Sequence, residues 1–330
     1  MAQPRLRALV LAAGRGERLR PLTLEIPKPL LPVAGRPLVA WTLARLEAAG
    51  CDAAAMNLHH LGAAVRERFG ERFGRLPLVY SEEPELLGTG GALPPLAPFL
   101  GAAERFVVVN GDSLCRWPLE RLLERHRRSG AAATLLVHRG ADPRRFGGGV
   151  AVEKGWITAF RPGSLAWETA RRRRVFAGAA VLEAELLGRL PAGPSDIVSA
   201  LYEPLLAGGA PIAALDTARA WFDLGTPARY LEGALAGALV GRPERGAWVA
   251  AGASVEPSAR LRRAAIEAGA SVGGDARITE ALVLAGGRVG AGAELARVIV
   301  GPGVELPPGA REHDALLTRS AAGAPVRTPL

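Results

Sequence analysis

Three stretches of this 330-residue chain combine residue types that could handle phosphate. The first runs Leu11-Ala-Ala-Gly-Arg-Gly-Glu-Arg-Leu-Arg-Pro-Leu-Thr23 and is followed by Pro27-Lys-Pro-Leu-Leu-Pro32. Gly14 and Gly16, directly after an apolar run, let backbone N–H groups approach a phosphate chain that a Cβ would obstruct. A plain tight turn accounts for the same glycines. Arg18 and Arg20 bring positive charge to the loop. It is not a P-loop, because no Gly-Lys-Ser/Thr follows, and Leu19 stands where the Rossmann fingerprint needs its third glycine. Lys28, held between two prolines, offers a compact ammonium suited to a phosphate; the alternative is an ordinary surface lysine.

The second stretch is Val107-Val-Val-Asn-Gly-Asp112. Asp112, just beyond a buried strand, stands where a carboxylate could hold a Mg²⁺ that bridges phosphate oxygens. A turn capped by the same aspartate is the alternative reading. The third is Trp221-Phe-Asp-Leu-Gly-Thr-Pro-Ala-Arg-Tyr230, in which Thr226 and Pro227 read as an N-cap and first helical residue. That leaves Asp223 as a second metal ligand or a core-edge carboxylate bonded to backbone.

These stretches need elements to position them. Arg7–Ala12, Ala53–Leu58, Leu78–Tyr80, Phe106–Asn110, Ala133–His138, Gly149–Val152, Ile157–Phe160 and Val175–Leu182 read as strands. Leu38–Ala49, Ala63–Phe69, Leu119–Arg128, Asp196–Leu206 and Ala228–Leu239 read as helices, and Gly88–Gly91 as a break. The alternation predicts an α/β fold: a Rossmann-like, mostly parallel sheet with helices on both faces. Ligands of such sheets bind at the carboxyl ends of strands, where Ala12 and Asn110 lie.

The last third follows another rule. Val249, Ile266, Val283 and Val300 form one column; Val255, Val272, Val289 and Leu306 a second; Leu261, Ile278 and Leu295 a third. Steps of about six residues with small residues between them predict a short parallel β-helix. The expected division is 1–240 for the α/β domain, 241–310 for the β-helix, and 311–330 for a patternless, partly disordered tail.

Composition sets the outer bounds. With 49% hydrophobic residues the chain can bury a sizeable core. Of 41 basic residues only Lys28 and Lys154 are lysine, and Asn57 and Asn110 are the two asparagines. A bias this strong suggests that chemistry holds some of the survivors. The net charge of +9 favours anionic partners or simply solubility. The densest run, Arg171–Arg174, is short and reads as a solvated loop, so no nucleic-acid partner is expected. Cys51 and Cys115 make no disulfide framework. The apolar run Ala8–Ala13 is too short for a signal peptide or membrane span, so a cytoplasmic protein with no membrane partner is expected.

The segments at 11–32, 82–93, 107–112, 175–182 and 221–230 together resemble the sugar-1-phosphate nucleotidyltransferases, and the repeats resemble the left-handed β-helix that ends many members. The resemblance covers residues 5–236. It implies that Leu11, Ala12, Ala13, Gly14, Gly16 and Arg18 wrap the nucleoside triphosphate, with Asn110 also at the nucleotide, and that Lys28 contacts phosphate near the reacting centre. It implies that Glu83 and Gly88 fall where the base is read, that Gly149 and Gly178 line the sugar-phosphate pocket, and that Asp112 and Asp223 bind Mg²⁺, with Arg18, Lys28 and Asp112 serving catalysis. Two departures stand out. Glu17 replaces a common Thr or Ser, and Arg161-Pro-Gly replaces a Glu-Lys-Pro, so the sugar-side cation passes to Arg161 or to one of Arg171–Arg174.

The implied reaction is attack of a sugar-1-phosphate oxygen on the α-phosphorus of a triphosphate. It gives a nucleotide sugar for cell-envelope polysaccharide, and pyrophosphate. Mannose-1-phosphate with GTP is the first expectation; uridylyl transfer to a hexose- or N-acetylmuramate-1-phosphate is the alternative. A non-catalytic sensing or scaffolding homologue would be favoured by loss of Lys28, Asp112 or Asp223, and all three are present. A β-helix acyltransferase is disfavoured because residues 240–312 contain no histidine. The β-helix is expected to serve regulation or homo-oligomer formation.

Overall fold

The computed structural model describes residues 5–146, 149–238, 240, 246–320 and 325–330. By its contacts the chain divides into two compact units: Met1–Arg15 with Val39–Trp221, and Gly16–Leu38 with Phe222–Leu330. The boundary expected at 240/241 borders residues 239 and 241–245, which lie outside the described residues. That boundary marks where the sequence period changes. The contacts follow a different line, because residues 16–38 join the C-terminal unit.

The first unit is built on a ten-stranded sheet. Its strands are β1 (Arg7–Leu11), β2 (Ala53–Leu58), β3 (Arg72–Phe73), β4 (Leu76–Glu82), β5 (Arg105–Asn110), β6 (Ala133–His138), β7 (Val150–Glu153), β8 (Trp156–Ala159), β9 (Arg173–Glu183) and β10 (Ile212–Thr217). Their order is β7-β8-β10-β6-β9-β5-β1-β2-β4-β3. The central block β5-β1-β2-β4 is parallel, which places the ends of β1 and β5 side by side, with Leu11 opposite Asn110. Leu9, Phe106 and Leu182 are fully buried in its core. β9 enters antiparallel between β5 and β6, with a bulge between Phe176 and Ala180. The sequence reading contains no strand at 212–217, yet β10 pairs parallel with β6. Its Ile-Ala-Ala-Leu run has little of the β-branched character that marks a strand. Gly88–Gly91, read as a break, forms one helical turn. Lys154 has φ 48° beside Gly155 at φ 82°, so this lysine belongs to the β7–β8 turn.

The second unit contains the β-helix. Ile266, Val283, Val300 and Leu317 stand in parallel register, as do Val272, Val289 and Leu306, and Ile278 with Leu295. All are buried in its interior. At the first coil Val249 is exposed, and Val255 and Leu261 are half-buried. A further column escaped the sequence reading: Ala265, Leu282, Ile299 and Leu316, on the outer face, are at most 1% exposed. The helix Pro227–Ala238 packs on the strands that carry Ala265, Leu282 and Ile299.

The tail departs from expectation. Arg311–Arg319 is a strand parallel to Glu294–Val300, and Pro325–Pro329 pairs antiparallel with it. Ala315 and Leu317 repeat the inward positions of Val298 and Val300 one coil later. The pattern was hidden because Glu312 stands opposite Leu295 where the third column needs an apolar residue.

Corner residues of the coils take positive φ without being glycine: Arg263, Glu280, Arg297 and Asp314, at 47°, 51°, 57° and 46°. Each such residue costs about 1–2 kcal/mol. Alternating charge along that edge partly offsets the cost, with Arg263–Glu280 at 3.5 Å, Glu280–Arg297 at 3.9 Å and Arg297–Asp314 at 2.6 Å.

One buried histidine sets a pH limit on the first unit. His126, 1% exposed, accepts from the Thr134 hydroxyl at Nδ1 and donates from Nε2 to Glu183, both at 2.9 Å. Burial holds its imidazole below the usual 6.5, against the pull of Glu183. The unfolded chain therefore takes up a proton more readily, so the contribution is intact above about pH 6.5 and is lost as pH falls below it. The thermal midpoint is expected to fall between pH 7.5 and 5.5, and to fall less in His126→Gln, when melts are followed by circular dichroism.

Candidate functional site

In the first unit the site begins where β1 ends. Asn57 Oδ1 accepts from the Ala12 N–H at 2.8 Å, and Asn57 Nδ2 donates to Glu83 Oε1 at 2.8 Å. Glu83 Oε2 accepts from Leu87 N at 3.1 Å, and both side chains are buried. His59 Nδ1 donates to Glu83 O at 2.8 Å while its Nε2 accepts from Arg15 Nε at 3.3 Å. The segment containing Leu11, Ala12, Ala13 and Gly14 is thus fixed to the loop that holds Glu83 and Gly88. The carboxylate of Glu83 is spent on shaping that loop. The signal for Asn57, besides its rarity, is a polar residue inside an otherwise apolar buried strand.

The loop after Glu83 is backed by residues 193–197. Gly90 N donates to Ser195 O at 2.9 Å, and Ser195 N to Leu87 O at 2.8 Å. A Cβ on Gly88 would stand 2.6 Å from Ser195 O, so the approach of the two backbones admits only glycine there. Asn110 ends β5, and Gly111 N donates to Leu11 O at 2.9 Å, which ties the turn before Asp112 to the end of β1. Gly178, φ 77°, lies at the β9 bulge and faces Asn110, whose Cβ would be 3.2 Å from an added Cβ. Gly149, φ 77°, meets the Arg174 carbonyl so closely that no side chain fits. The cations proposed for the sugar side are mostly engaged. Arg161 pairs with Asp196 and Glu203, each at 3.5 Å; Arg174 pairs with Asp216 at 2.8 Å; Arg173 lies over the Trp167 ring. Arg171 and Arg172 are exposed.

In the second unit, Gly16 takes φ 62°, and its carbonyl accepts from Thr23 Oγ1 at 2.8 Å. Thr23, 1% exposed, is the anchor that the motif's closing Thr supplies. Lys28 follows Pro27 in a 3-10 turn, Lys28–Leu30, and is 8% exposed. Arg18 and Asp223 converge: an added Cβ on Gly225 would lie 2.8 Å from Arg18 Nη2 and 2.9 Å from Asp223 Oδ1. Asp223 Oδ2 accepts from Arg229 Nη1 at 2.8 Å. Asp223 is thus bonded through Oδ2 to the Arg229 side chain rather than to backbone, and its Oδ1 and Arg18 both lie beside Gly225.

Among the described residues no group of three or more His, Cys, Asp or Glu side chains could hold a metal ion. Asp112 and Asp223 are carboxylates, the hard oxygen donors that suit Mg²⁺. Cys51 and Cys115 are free and buried, and burial pushes both thiols up to about 12. Among the described residues no helix is long and apolar enough to cross a membrane.

The profile of the nucleotidyl transferase family matches residues 7–238. A mannose-1-phosphate guanylyltransferase from Mycobacterium tuberculosis is 35% identical over 236 residues, which is 71% of this chain and 65% of that protein. A UTP–glucose-1-phosphate uridylyltransferase from Synechocystis is 31% identical over 242 residues, 68% of this chain and 61% of that protein. The chain thus spans a little under two thirds of the length of these relatives. The crystal structure of HddC from Yersinia pseudotuberculosis shares the fold at TM-score 0.57 and 20% identity, covering 69% of this chain and 97% of that one. With the family profile matching well over half of its length, the chain belongs to the nucleotidyl transferase family.

Proposed function

We propose that this protein transfers a nucleotidyl group from a nucleoside triphosphate to a sugar-1-phosphate, with GTP and mannose-1-phosphate as its pair. The observation that carries the reaction is the meeting of Arg18 and Asp223 across Gly225, a cation and a carboxylate held at one point by a residue with no side chain. The mannose-1-phosphate guanylyltransferase relative at 35% identity favours the substrate pair. The uridylyltransferase relative at 31% supports uridylyl transfer to a hexose-1-phosphate as the second reading.

In this reading the backbone N–H groups of residues 11–16 cradle the triphosphate, and Arg18 takes the charge of the departing pyrophosphate. Lys28 neutralises charge around the α-phosphoryl group. Asp112 and Asp223 Oδ1 would hold Mg²⁺, which, when bound, neutralises phosphate charge and orients the reacting oxygens. The base rests on the loop shaped by Glu83 and Gly88. Gly149 and Gly178 line the sugar-phosphate side, and Arg171 or Arg172 supplies its cation. No general base is needed, because the attacking phosphate is already ionised at neutral pH; rate comes from position and charge. The site works in the cytoplasm, on soluble substrates.

A pyrophosphate-release assay over GTP, UTP, ATP, CTP and dTTP, each with mannose-, glucose- and N-acetylmuramate-1-phosphate and Mg²⁺, is expected to be highest for GTP with mannose-1-phosphate. Silence in every combination from folded protein would sink the reaction. Asp112→Ala is expected to lower turnover by about 100-fold or more with the melting curve unchanged. Gly225→Ala should push Arg18 and Asp223 apart and reduce kcat by about 10-fold. Wild-type kcat in either variant contradicts the role given to that position.

A further inference from the structure

The segment that carries Lys28 does not end freely. Leu31 N donates to Lys28 O at 3.1 Å, and Leu38 N to Leu31 O at 2.9 Å. Between Leu31 and Leu38 the chain makes a tight hairpin, with Pro32 opposite Pro37 and Val33 opposite Arg36. Its two turn residues, Ala34 and Gly35, have φ of 53° and 73°. Positive φ at both central positions fits a type I′ turn, and the alanine pays a strain that glycine would not. Such a conformation persists only where its surroundings fix it.

Three side chains from outside the hairpin do so. Gly35 N donates to both carboxylate oxygens of Glu267, at 3.2 and 3.1 Å. Glu267 follows the β-helix strand Arg260–Ile266 and is 4% exposed. Tyr230 OH, from the helix that packs on the β-helix, donates to Pro32 O at 2.8 Å. Trp248, in the β-helix strand Ala247–Val249, lies against Gly35, with its ring 3.3 Å from where a Cβ would stand. A carboxylate is costly to bury and is kept only where it is bonded. Tyr230 is fully buried, and burial keeps its phenol protonated, so its donation to Pro32 is constant.

We propose that Glu267 and Tyr230 are positioning residues for Lys28, through which the β-helix sets the geometry of nucleotidyl transfer. The inference rests on the phosphate role given to Lys28 above. It assigns the β-helix a part in the reaction, carried by a contiguous hydrogen-bonded path from Glu267 through the hairpin to Lys28. Loosening the path leaves substrate-binding groups elsewhere in place, so the loss falls on kcat rather than KM.

The test uses the full chain with the most active substrate pair from the matrix above. Glu267→Leu, which fills similar volume without an acceptor, is expected to lower kcat about 10-fold with both KM values within about twofold. Glu267→Gln keeps an acceptor and is expected to restore kcat to within about threefold of wild type. Tyr230→Phe gives a second route should Glu267→Leu fail to fold, with an expected fall of about three- to fivefold in kcat. In a Lys28→Ala background neither variant should lower kcat further, because each acts through the lysine. Losses that multiply in that background, or a wild-type kcat in both Glu267→Leu and Tyr230→Phe, overturn the proposal. Wild-type turnover in Lys28→Ala is a different failure: it removes the phosphate role of Lys28 itself.

Discussion

One buried amide is the constraint on which the candidate site residues of the first unit depend. β1 ends at Leu11, and the next N–H, on Ala12, donates to Asn57 Oδ1. The same side chain gives its donor to Glu83. An unmet buried donor or acceptor costs about 1–3 kcal/mol, so each end of this bridge is held by the penalty for breaking it. Position 57 needs a short side chain that accepts on one side and donates on the other. Aspartate would set a second carboxylate against Glu83, and glutamine would carry the amide one carbon too far. The mouth of a parallel sheet has strand ends whose backbone groups run out of ladder partners, and here one side chain closes that gap. It also joins the segment after β1 to the loop that holds Glu83.

The remaining shape is made by absent side chains. At Gly88, Gly149, Gly178 and Gly225 an added Cβ would meet, in turn, the Ser195 carbonyl, the Arg174 carbonyl, the Asn110 side chain, and Arg18 with Asp223. The first two are backbone-on-backbone approaches, where no neighbour can swing aside. The last is different in kind, because the atoms displaced are the ends of side chains.

Legibility in the sequence followed the range of the interaction. β6, Ala133–His138, has the boundaries its composition predicts, and the inward columns of the β-helix lie in the register their spacing implies. Both signals are local, alternation or period within one segment. The tie from Glu267 to Gly35 crosses more than two hundred residues and has no pattern to announce it. The outer column Ala265, Leu282, Ile299 and Leu316 repeats every coil and was available to inspection. Small and apolar residues on an outward face mean that something covers it, but only the fold shows that the cover is the helix Pro227–Ala238. The antiparallel entry of β9 was invisible for a related reason: buried on both faces, it reads as a plain apolar run whichever way it points.

The scarcity of lysine and asparagine separates two kinds of survival. Lys28 is 8% exposed in the proposed site, Asn57 carries the bridge at β1, and Asn110 lies against Gly178. Each uses a property that arginine or alanine lacks: a compact ammonium, a paired donor and acceptor, or a short polar end that fits beside a bulge. Lys154 sits in a turn at φ 48° and uses none of these. Rarity therefore marks two asparagines that the structure ties to distant residues, but only one buried lysine of two. Burial separates the lysines in the structure, because a buried charge or amide must be satisfied by its surroundings. A surface ammonium in a turn meets no such requirement. The informative property of a rare residue is the cost its surroundings would impose on a replacement, and at positions 57 and 110 that cost comes from neighbours the local sequence does not contain.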